Sequence, residues 1–226
     1  MARFSRMQVL DAIDQLGLVA IFNHLDLQTA IKITEACAAG GARVVEFTNR
    51  GEFAHEVFTG LVKHFAKADP KVILGAGTIL DPATAALYIA CGANFIVAPT
   101  FNPEVAKVCN RRKIAYMPGC GSASEISAAE EMGVEYVKIF PGREMGGPGF
   151  VKAVLGPTPW SRLVPTGLAV EYSQEDINAW FKAGVAAVGP GPALFPADLV
   201  AKGDFEAIRG RVAQMLQWIR QARGRG

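Results

Sequence analysis

The chain alternates short apolar runs with longer segments of helical periodicity, and this alternation sets its fold class. Near-continuous apolar strands are typical of parallel sheets that helices cover on both faces. Eight such units are the number that closes a (β/α)8 TIM barrel. The predicted strands are Leu18–Phe22, Arg43–Thr48, Val72–Leu74, Ala93–Ala98, Ile114–Met117, Tyr136–Phe140, Leu163–Thr166 and Ala186–Val188.

The segments between these runs predict the helices of the barrel. No linker rich in Pro, Gly or Ser divides the 226 residues, so we predict one α/β domain, 1–226. An open, doubly wound sheet is the alternative, but no Gly-x-Gly-x-x-Gly follows the first strand. The predicted helices are about 5–16, Thr29–Ala39, Phe53–Ala66, Ala85–Cys91, Pro103–Asn110, Ala123–Met132, Phe150–Val154, Ile177–Ala183 and about 204–222.

The charge balance and the cysteines limit which partners the chain can bind and which cell compartment suits it. The formal net charge of +2, from 23 basic and 21 acidic residues, gives no broad attraction for nucleic acid. No apolar segment is long enough to span a bilayer, and no secretory h-region follows Met1, so we expect a cytoplasmic protein without a membrane partner. The four cysteines form no C-x-x-C pair and have no His at zinc-site spacing, so we expect reduced thiols and no metal.

Polar residues follow the second predicted strand, where a barrel carries its chemistry. Catalytic groups of these barrels lie at the C-terminal ends of the strands. Strand alternation places Glu46, Thr48 and Arg50 on one face and turns Phe47 toward the helices. A carboxylate and a guanidinium are therefore predicted to point into one cavity.

The sixth predicted strand contains a lysine among apolar residues. Alternation places Tyr136, Lys138 and Phe140 on the inward face. A buried amine loses hydration, so its pKa falls, and the neutral amine can attack a ketone to form an imine. The alternative is that Lys138 extends to solvent or forms a structural ion pair with Glu46, and the pattern alone does not decide between the two.

Small residues and hydroxyls follow three other strands. The third strand leads into Gly75-Ala76-Gly77-Thr78, the fourth ends at Pro99, and the seventh ends in Thr166-Gly167. Glycine lets a ligand approach the backbone, and Thr78 and Thr166 can donate hydrogen bonds to a carboxylate. Each motif alone is also an ordinary helix cap. Together they predict an anion pocket around the amine.

Six motifs in order give the chain a resemblance that spans nearly its whole length. They are Val45–Arg50, Gly75–Thr78, Phe95–Pro99, Met117–Gly119, Val137–Pro141 and Val164–Gly167. In these motifs the chain resembles the 2-keto-3-deoxy-6-phosphogluconate / 4-hydroxy-2-oxoglutarate aldolase family, which are class I aldolases on the barrel fold.

The resemblance implies a small-molecule keto acid substrate and specific residue roles. Lys138 would form an imine with the keto carbon of pyruvate, and Glu46 would move protons. It implies no metal or organic cofactor, and a homotrimer. The implied substrate-binding residues are Arg50, Thr78, Pro99, Phe140, Thr166, Gly167, Gly189 and Gly191.

The chain departs from the family where the family binds the substrate phosphate. Leu168 replaces the second glycine after Thr166, and the last strand is followed by Pro190 and Pro192 where a serine is expected. Proline has no N–H to offer a phosphate, so we expect weakened or absent phosphate binding. The alternative that Gly189 and Gly191 suffice remains open.

Two other functions remain open. The altered turns also fit an aldolase-like barrel that has lost catalysis and serves as an oligomeric scaffold or binding protein. A phosphate-binding isomerase with Glu46 as base is a third reading. His24, His55 and His64 receive no role, and the aldehyde half of the substrate stays undetermined.

Overall fold

The computed structural model describes residues 2–224; Met1, Arg225 and Gly226 of the predicted domain lie outside the described residues. Helices and strands alternate along nearly the whole of this part of the chain. The helices are α1 Arg6–Leu16, α2 Leu27–Ala39, α3 Ala54–Ala68, α4 Pro82–Ala90, α5 Pro103–Arg112, α6 Ala123–Glu131, α7 Gly147–Leu155, α8 Gln174–Ala183, α9 Ala197–Lys202 and α10 Phe205–Ala222. The strands are β1 Ala20–Phe22, β2 Val44–Thr48, β3 Ile73–Gly77, β4 Phe95–Val97, β5 Ala115–Met117, β6 Gly119–Cys120, β7 Val137–Ile139, β8 Leu163–Gly167 and β9 Gly189–Pro190.

The strands are parallel neighbours that close into a barrel. One run has the order β1-β2-β3-β4-β5, and the other has the order β6-β7-β8-β9. Only Pro118 separates β5 from β6, and Gly119 N donates to Ala98 O at 2.9 Å, so both occupy the fifth barrel position. The ring closes where Val19 N donates to Val188 O at 2.9 Å. The predicted (β/α)8 barrel is confirmed.

Two apolar clusters fill the fold, one on each side of the strands. The inner cluster takes alternate strand residues such as Val44, Ile73 and Phe95, and it also contains Val9 and Ile13 of α1. The outer cluster lies between strands and helices. Helix α1 therefore closes the N-terminal end of the barrel and leaves the C-terminal rim for a ligand.

Several boundaries differ from those predicted. The last strand, predicted at Ala186–Val188, is Gly189–Pro190, with Val188 in an isolated bridge. Arg223 donates a side-chain hydrogen bond to the carbonyl of Ala186, which removes that carbonyl from the ladder. Helix α7 begins at Gly147, earlier than the predicted Phe150, because Pro148 suits the first turn of a helix. Helix α9 had not been predicted.

Within residues 2–224, no helix combines the length and apolar character that crossing a bilayer requires.

Candidate active site

The inward-facing series of strand residues ends in polar side chains at the C-terminal rim. In β2 this series runs from Val44 to Glu46 and Thr48, and Lys138 in β7 follows Tyr136, which directly precedes that strand. Their neighbours Phe47, Val137 and Ile139 pack in the outer cluster. Lys138 is 7% exposed and Glu46 is 1% exposed, so both charged groups lie inside the barrel.

Burial and a neighbouring cation both weaken the basicity of Lys138. Desolvation lowers the pKa of Lys138 below its ordinary 10.5, and the charge of Arg50 lowers it further, whereas Glu46 opposes the shift. The Nζ atom lies 5.0 Å from the centre of the Phe140 ring. An amine with a lowered pKa is available as a nucleophile at lower pH than an ordinary lysine.

Glu46 has the opposite tendency, toward its protonated form. Desolvation raises the pKa of Glu46, and the positive charges of Lys138 and Arg50 oppose that shift. Among residues 2–224, no ion pair within 4.0 Å joins Glu46 to Lys138, so the simple structural salt bridge is absent. A carboxyl group in this setting can give and accept a proton beside the amine.

Gly77 provides the space that the Glu46 carboxylate occupies. A Cβ atom at Gly77 would lie 1.8 Å from Glu46 Oε1. Gly77 pairs with Thr48 in the parallel register of β2 and β3, which places it beside this carboxylate. Glycine is therefore required here for the observed position of Glu46.

Arg50 and Thr78 meet just outside the ends of β2 and β3. Arg50 is exposed, and its Nε donates to Thr78 Oγ1 at 3.4 Å. Thr78 has a positive φ of 60°, which is uncommon for a residue with a side chain. Asn23 Nδ2 donates to the carbonyls of Thr48 at 3.1 Å and Arg50 at 2.8 Å, which supports the loop that carries the guanidinium.

Two buried hydroxyls at this rim have no hydrogen-bond partner among the described residues. They are Oγ1 of Thr48 and Oγ1 of Thr166, from residues that are each 3% exposed. Buried polar atoms are normally satisfied, so an unpaired one calls for a ligand, a water or a functional reason. Thr48 lies on the inward face but had received no role from the sequence.

The remaining predicted residues lie around the same end of the barrel. Pro99 lies two residues after Val97, the last inward-facing residue of β4, and Phe140 is 41% exposed beside Lys138. Gly167 has a positive φ of 69° at the end of β8. In β9, a Cβ atom at Gly189 would lie 2.8 Å from Thr166 Cγ2, and Gly191 follows it, buried.

A cavity of about 440 Å³ opens beside this cluster, between the ends of β1, β2, β8 and β9. Thr48, Arg50, Gly167 and Gly191 line it, but Lys138 does not. Its other walls, including Phe22 and Phe195, come from residues that the sequence had not singled out. A larger cavity of about 790 Å³ lies at the α1 end of the barrel and contains none of the predicted site residues.

Comparison with known proteins identifies the family of the chain. Residues 9–211 match the family described as KDPG and KHG aldolase. The 2-dehydro-3-deoxy-phosphogluconate aldolase of Treponema pallidum is 32% identical over 211 residues, which cover 93% of this chain and 97% of the relative. The KHG/KDPG aldolase of Escherichia coli is 32% identical over 182 residues, or 80% of this chain and 82% of that protein.

Solved structures give the same result. A KDPG aldolase from Legionella pneumophila, with pyruvate captured as a covalent carbinolamine, superposes with a TM-score of 0.80 at 25% identity over 92% of this chain and 98% of that one. A native KDPGal structure gives a TM-score of 0.81 at 25% identity over 92% and 96% of the two chains. The chain therefore belongs to the KDPG and KHG aldolase family, and it is a carbon–carbon lyase.

Proposed function

We propose that this chain is a class I aldolase that cleaves a 2-keto-4-hydroxy acid into pyruvate and an aldehyde through a Schiff base on Lys138. The observation that carries the proposal is the burial of Lys138 inside the barrel, where desolvation lowers the pKa of its amine, close to the buried carboxyl of Glu46. The names of the relatives and the carbinolamine captured in the Legionella structure support it.

The proposed reaction starts with attack of the neutral Lys138 amine on the keto carbon. Glu46 donates a proton to the carbinolamine hydroxyl, which leaves as water, and an iminium forms. The Glu46 carboxylate then removes the proton of the 4-hydroxyl. The C3–C4 bond breaks, its electron pair enters the iminium to give an enamine, and the aldehyde departs.

Proton return and hydrolysis complete the cycle. Glu46 protonates the enamine at C3, and water attacks the resulting iminium to release pyruvate and the free amine. The iminium serves as the electron sink, so this proposal assigns no step to a metal or an organic cofactor.

The rim residues would hold the substrate. Arg50 would bind the pyruvate carboxylate through its planar fork, with Thr78 and Thr166 as further donors. The unpaired hydroxyl of Thr166 supports this role, since a ligand oxygen would satisfy it. Phe140 and Pro99 would pack against the intermediate, and Gly167, Gly189 and Gly191 would let the distal part of the substrate approach the backbone.

Reductive trapping tests the proposed function. Wild-type protein is incubated with pyruvate and borohydride, and its intact mass is measured, with Lys138→Met as the matched control. The proposal expects one irreversible pyruvate adduct in the wild type and none in the variant. No adduct in the wild type would favour a scaffold or an isomerase, and an equal adduct in Lys138→Met would assign the nucleophile to another residue.

The same proposal covers the domain organisation, the location and the oligomeric state of the chain. We propose a single cytoplasmic domain that assembles as a homotrimer, and the free thiols of Cys37, Cys109 and Cys120 fit a reducing compartment. Exposed apolar side chains follow three consecutive strands and support an assembly surface: Leu25, Phe53 and Leu80. Sedimentation equilibrium tests the trimer, and a monomer would refute it.

A further inference from the structure

The cavity of about 440 Å³ beside the proposed reaction centre has walls that suit an apolar ligand. Phe22 at the end of β1, Ile33 of α2, Phe195 before α9 and Val200 within α9 contribute apolar surface to its lining. The rings of Phe22 and Phe195 lie 5.7 Å apart, centre to centre. A volume of this size is typical of small-molecule sites.

The cavity adjoins the proposed catalytic groups through two shared residues. Thr48 lines it and continues the inward series of Glu46, and the buried hydroxyl of Thr48 has no partner among the described residues. Arg50 also lines it, and its charge shifts the pKa of both Glu46 and Lys138. A substrate attached at Lys138 can therefore extend toward β8 and β9 into this space.

Of the six residues from 190 to 195, four have no N–H free for a phosphate, which leaves the N–H groups of Gly191 and Ala193. Pro190 and Pro192 have no N–H group. The N–H groups of Leu194 and Phe195 already donate to the carbonyl of Gly191, at 3.0 Å and 3.3 Å. A phosphate site in a barrel relies on free N–H groups at this position.

The turn after β8 is partly occupied, and in the described part of the chain the N–H of Leu168 donates to no residue. Ala169 N donates to Thr166 O at 3.4 Å, and Val170 N donates to Gly167 O at 3.5 Å. Within the described lining of the cavity, Arg50 is the single Lys or Arg side chain, and the proposed mechanism uses it for the pyruvate carboxylate. Asn23 also lines the cavity, but its Nδ2 already donates to the carbonyls of Thr48 and Arg50, and His24 adds one imidazole. A phosphate dianion would lose hydration against Phe22, Ile33 and Phe195, whereas an apolar chain would gain from the same contacts.

We infer that the preferred substrate is an unphosphorylated 2-keto-4-hydroxy acid whose aldehyde half carries an apolar alkyl or aryl chain, and that this chain occupies the cavity. The inference rests on the proposed function and names the substrate class for the same site. In the synthetic direction, the enamine of pyruvate forms the C3–C4 bond with the aldehyde, and the aldehyde oxygen takes a proton from Glu46. Each methylene that enters the apolar space is expected to raise kcat/KM about threefold to fourfold.

An aldehyde series with pyruvate tests the inference. Wild-type protein is given glyoxylate, glyceraldehyde 3-phosphate, and straight-chain aldehydes from acetaldehyde to hexanal, and kcat/KM for the aldehyde is measured. The inference expects a stepwise rise along the straight-chain series until the cavity is filled, with hexanal at least 10-fold above glyceraldehyde 3-phosphate.

A cavity-filling variant adds a second readout. Ala201 lines the cavity and lies in α9, and Ala201→Trp is expected to lower the hexanal-to-acetaldehyde ratio of kcat/KM at least fivefold. Lys202→Trp is the matched control, because Lys202 lies on the same helix outside the lining, and its ratio should equal that of the wild type.

The experiments distinguish failure of the substrate inference from failure of the proposed function. If the wild type traps pyruvate with borohydride but uses glyceraldehyde 3-phosphate as well as or better than hexanal, the inference is overturned and the proposed function stands. If kcat/KM does not rise along the series, the inference is likewise overturned. If the wild type traps no pyruvate, the proposed function falls, and the inference with it.

Discussion

Gly77 and Glu46 fit together so closely that a Cβ atom on the glycine would lie 1.8 Å from Oε1 of the carboxylate. The two residues lie on neighbouring strands, β3 and β2, and the parallel register brings them together at the rim of the barrel. The position of the proposed proton donor therefore depends on a residue without a side chain.

Gly77→Ala should displace the Glu46 side chain and leave the barrel folded, because the three nearest atoms all belong to that side chain, from Cγ to Oε1. We expect kcat to fall roughly 100-fold, as for other small misplacements of catalytic groups. Gly210→Ala is the control, since a Cβ atom there meets no atom within 4 Å and the residue lies within helix α10. It should stabilise the fold by roughly 0.5–1 kcal/mol and keep full activity. Full activity of Gly77→Ala would contradict this role for the glycine.

Lys138→Met should abolish activity and stabilise the free protein. Burial disfavours the charged forms of both groups, because desolvation lowers the pKa of Lys138 and raises that of Glu46, and a methionine removes the desolvation cost of the amine. We expect a gain of about 1 kcal/mol at neutral pH, or roughly 2–4 °C in Tm.

The pH dependence of that gain has a defined sign. The folded-state pKa of Lys138 lies below 10.5, so the unfolded wild type binds more protons between the two values, and wild-type stability rises with pH across that window. The advantage of Lys138→Met should shrink as pH approaches 10.5. A large loss of stability in the variant would instead indicate an ionised Lys138–Glu46 pair that holds the site together.

Glu46→Gln should keep the shape of the site and remove its proton donor and acceptor. We expect kcat for aldol cleavage to fall roughly 10²–10⁴-fold, with a small effect on the KM of the substrate. Steady-state release of pyruvate measures both constants. A variant with wild-type kcat would show that another group moves the protons.

Arg50 is expected to act in two ways, and two substitutions separate them. Arg50→Lys keeps the charge but loses the planar fork, so the KM for pyruvate in the synthetic direction should rise about 10-fold. Arg50→Met also removes the cation that lowers the pKa of Lys138, so this pKa should rise. The acidic limb of the kcat/KM profile should then move to higher pH in Arg50→Met only. Equal pH profiles of kcat/KM in Arg50→Lys and Arg50→Met would contradict the proposed effect of the Arg50 charge on the pKa of Lys138.

The barrel and the inward direction of Lys138 and Glu46 follow from local patterns, because strand alternation needs only the residues of one strand. The contact between Gly77 and Glu46 depends on the register of two strands, and the sequence of either strand alone does not determine that register. The start of β9 differs from the predicted Ala186 because the side chain of Arg223, far along the chain, donates to the carbonyl of Ala186.

The sequence does not predict the apolar cavity, for a similar reason. Ile33 and Phe195 are far apart in the chain, and each alone resembles an ordinary core residue. Pro190 and Pro192 indicate weakened phosphate binding from the sequence, and this stays a prediction. The internal hydrogen bonds of Leu194 and Phe195 with Gly191 add a reason that only the folded turn contains.

Exchange of the pyruvate methyl protons in deuterated water tests the central claim most directly, because it requires both the imine on Lys138 and proton transfer by Glu46, and no aldehyde. Loss of the methyl signal is followed by proton NMR in wild-type protein, Lys138→Met and Glu46→Gln. The account predicts rapid exchange in the wild type and rates at least 100-fold lower in both variants. Exchange at the wild-type rate in Lys138→Met would contradict it.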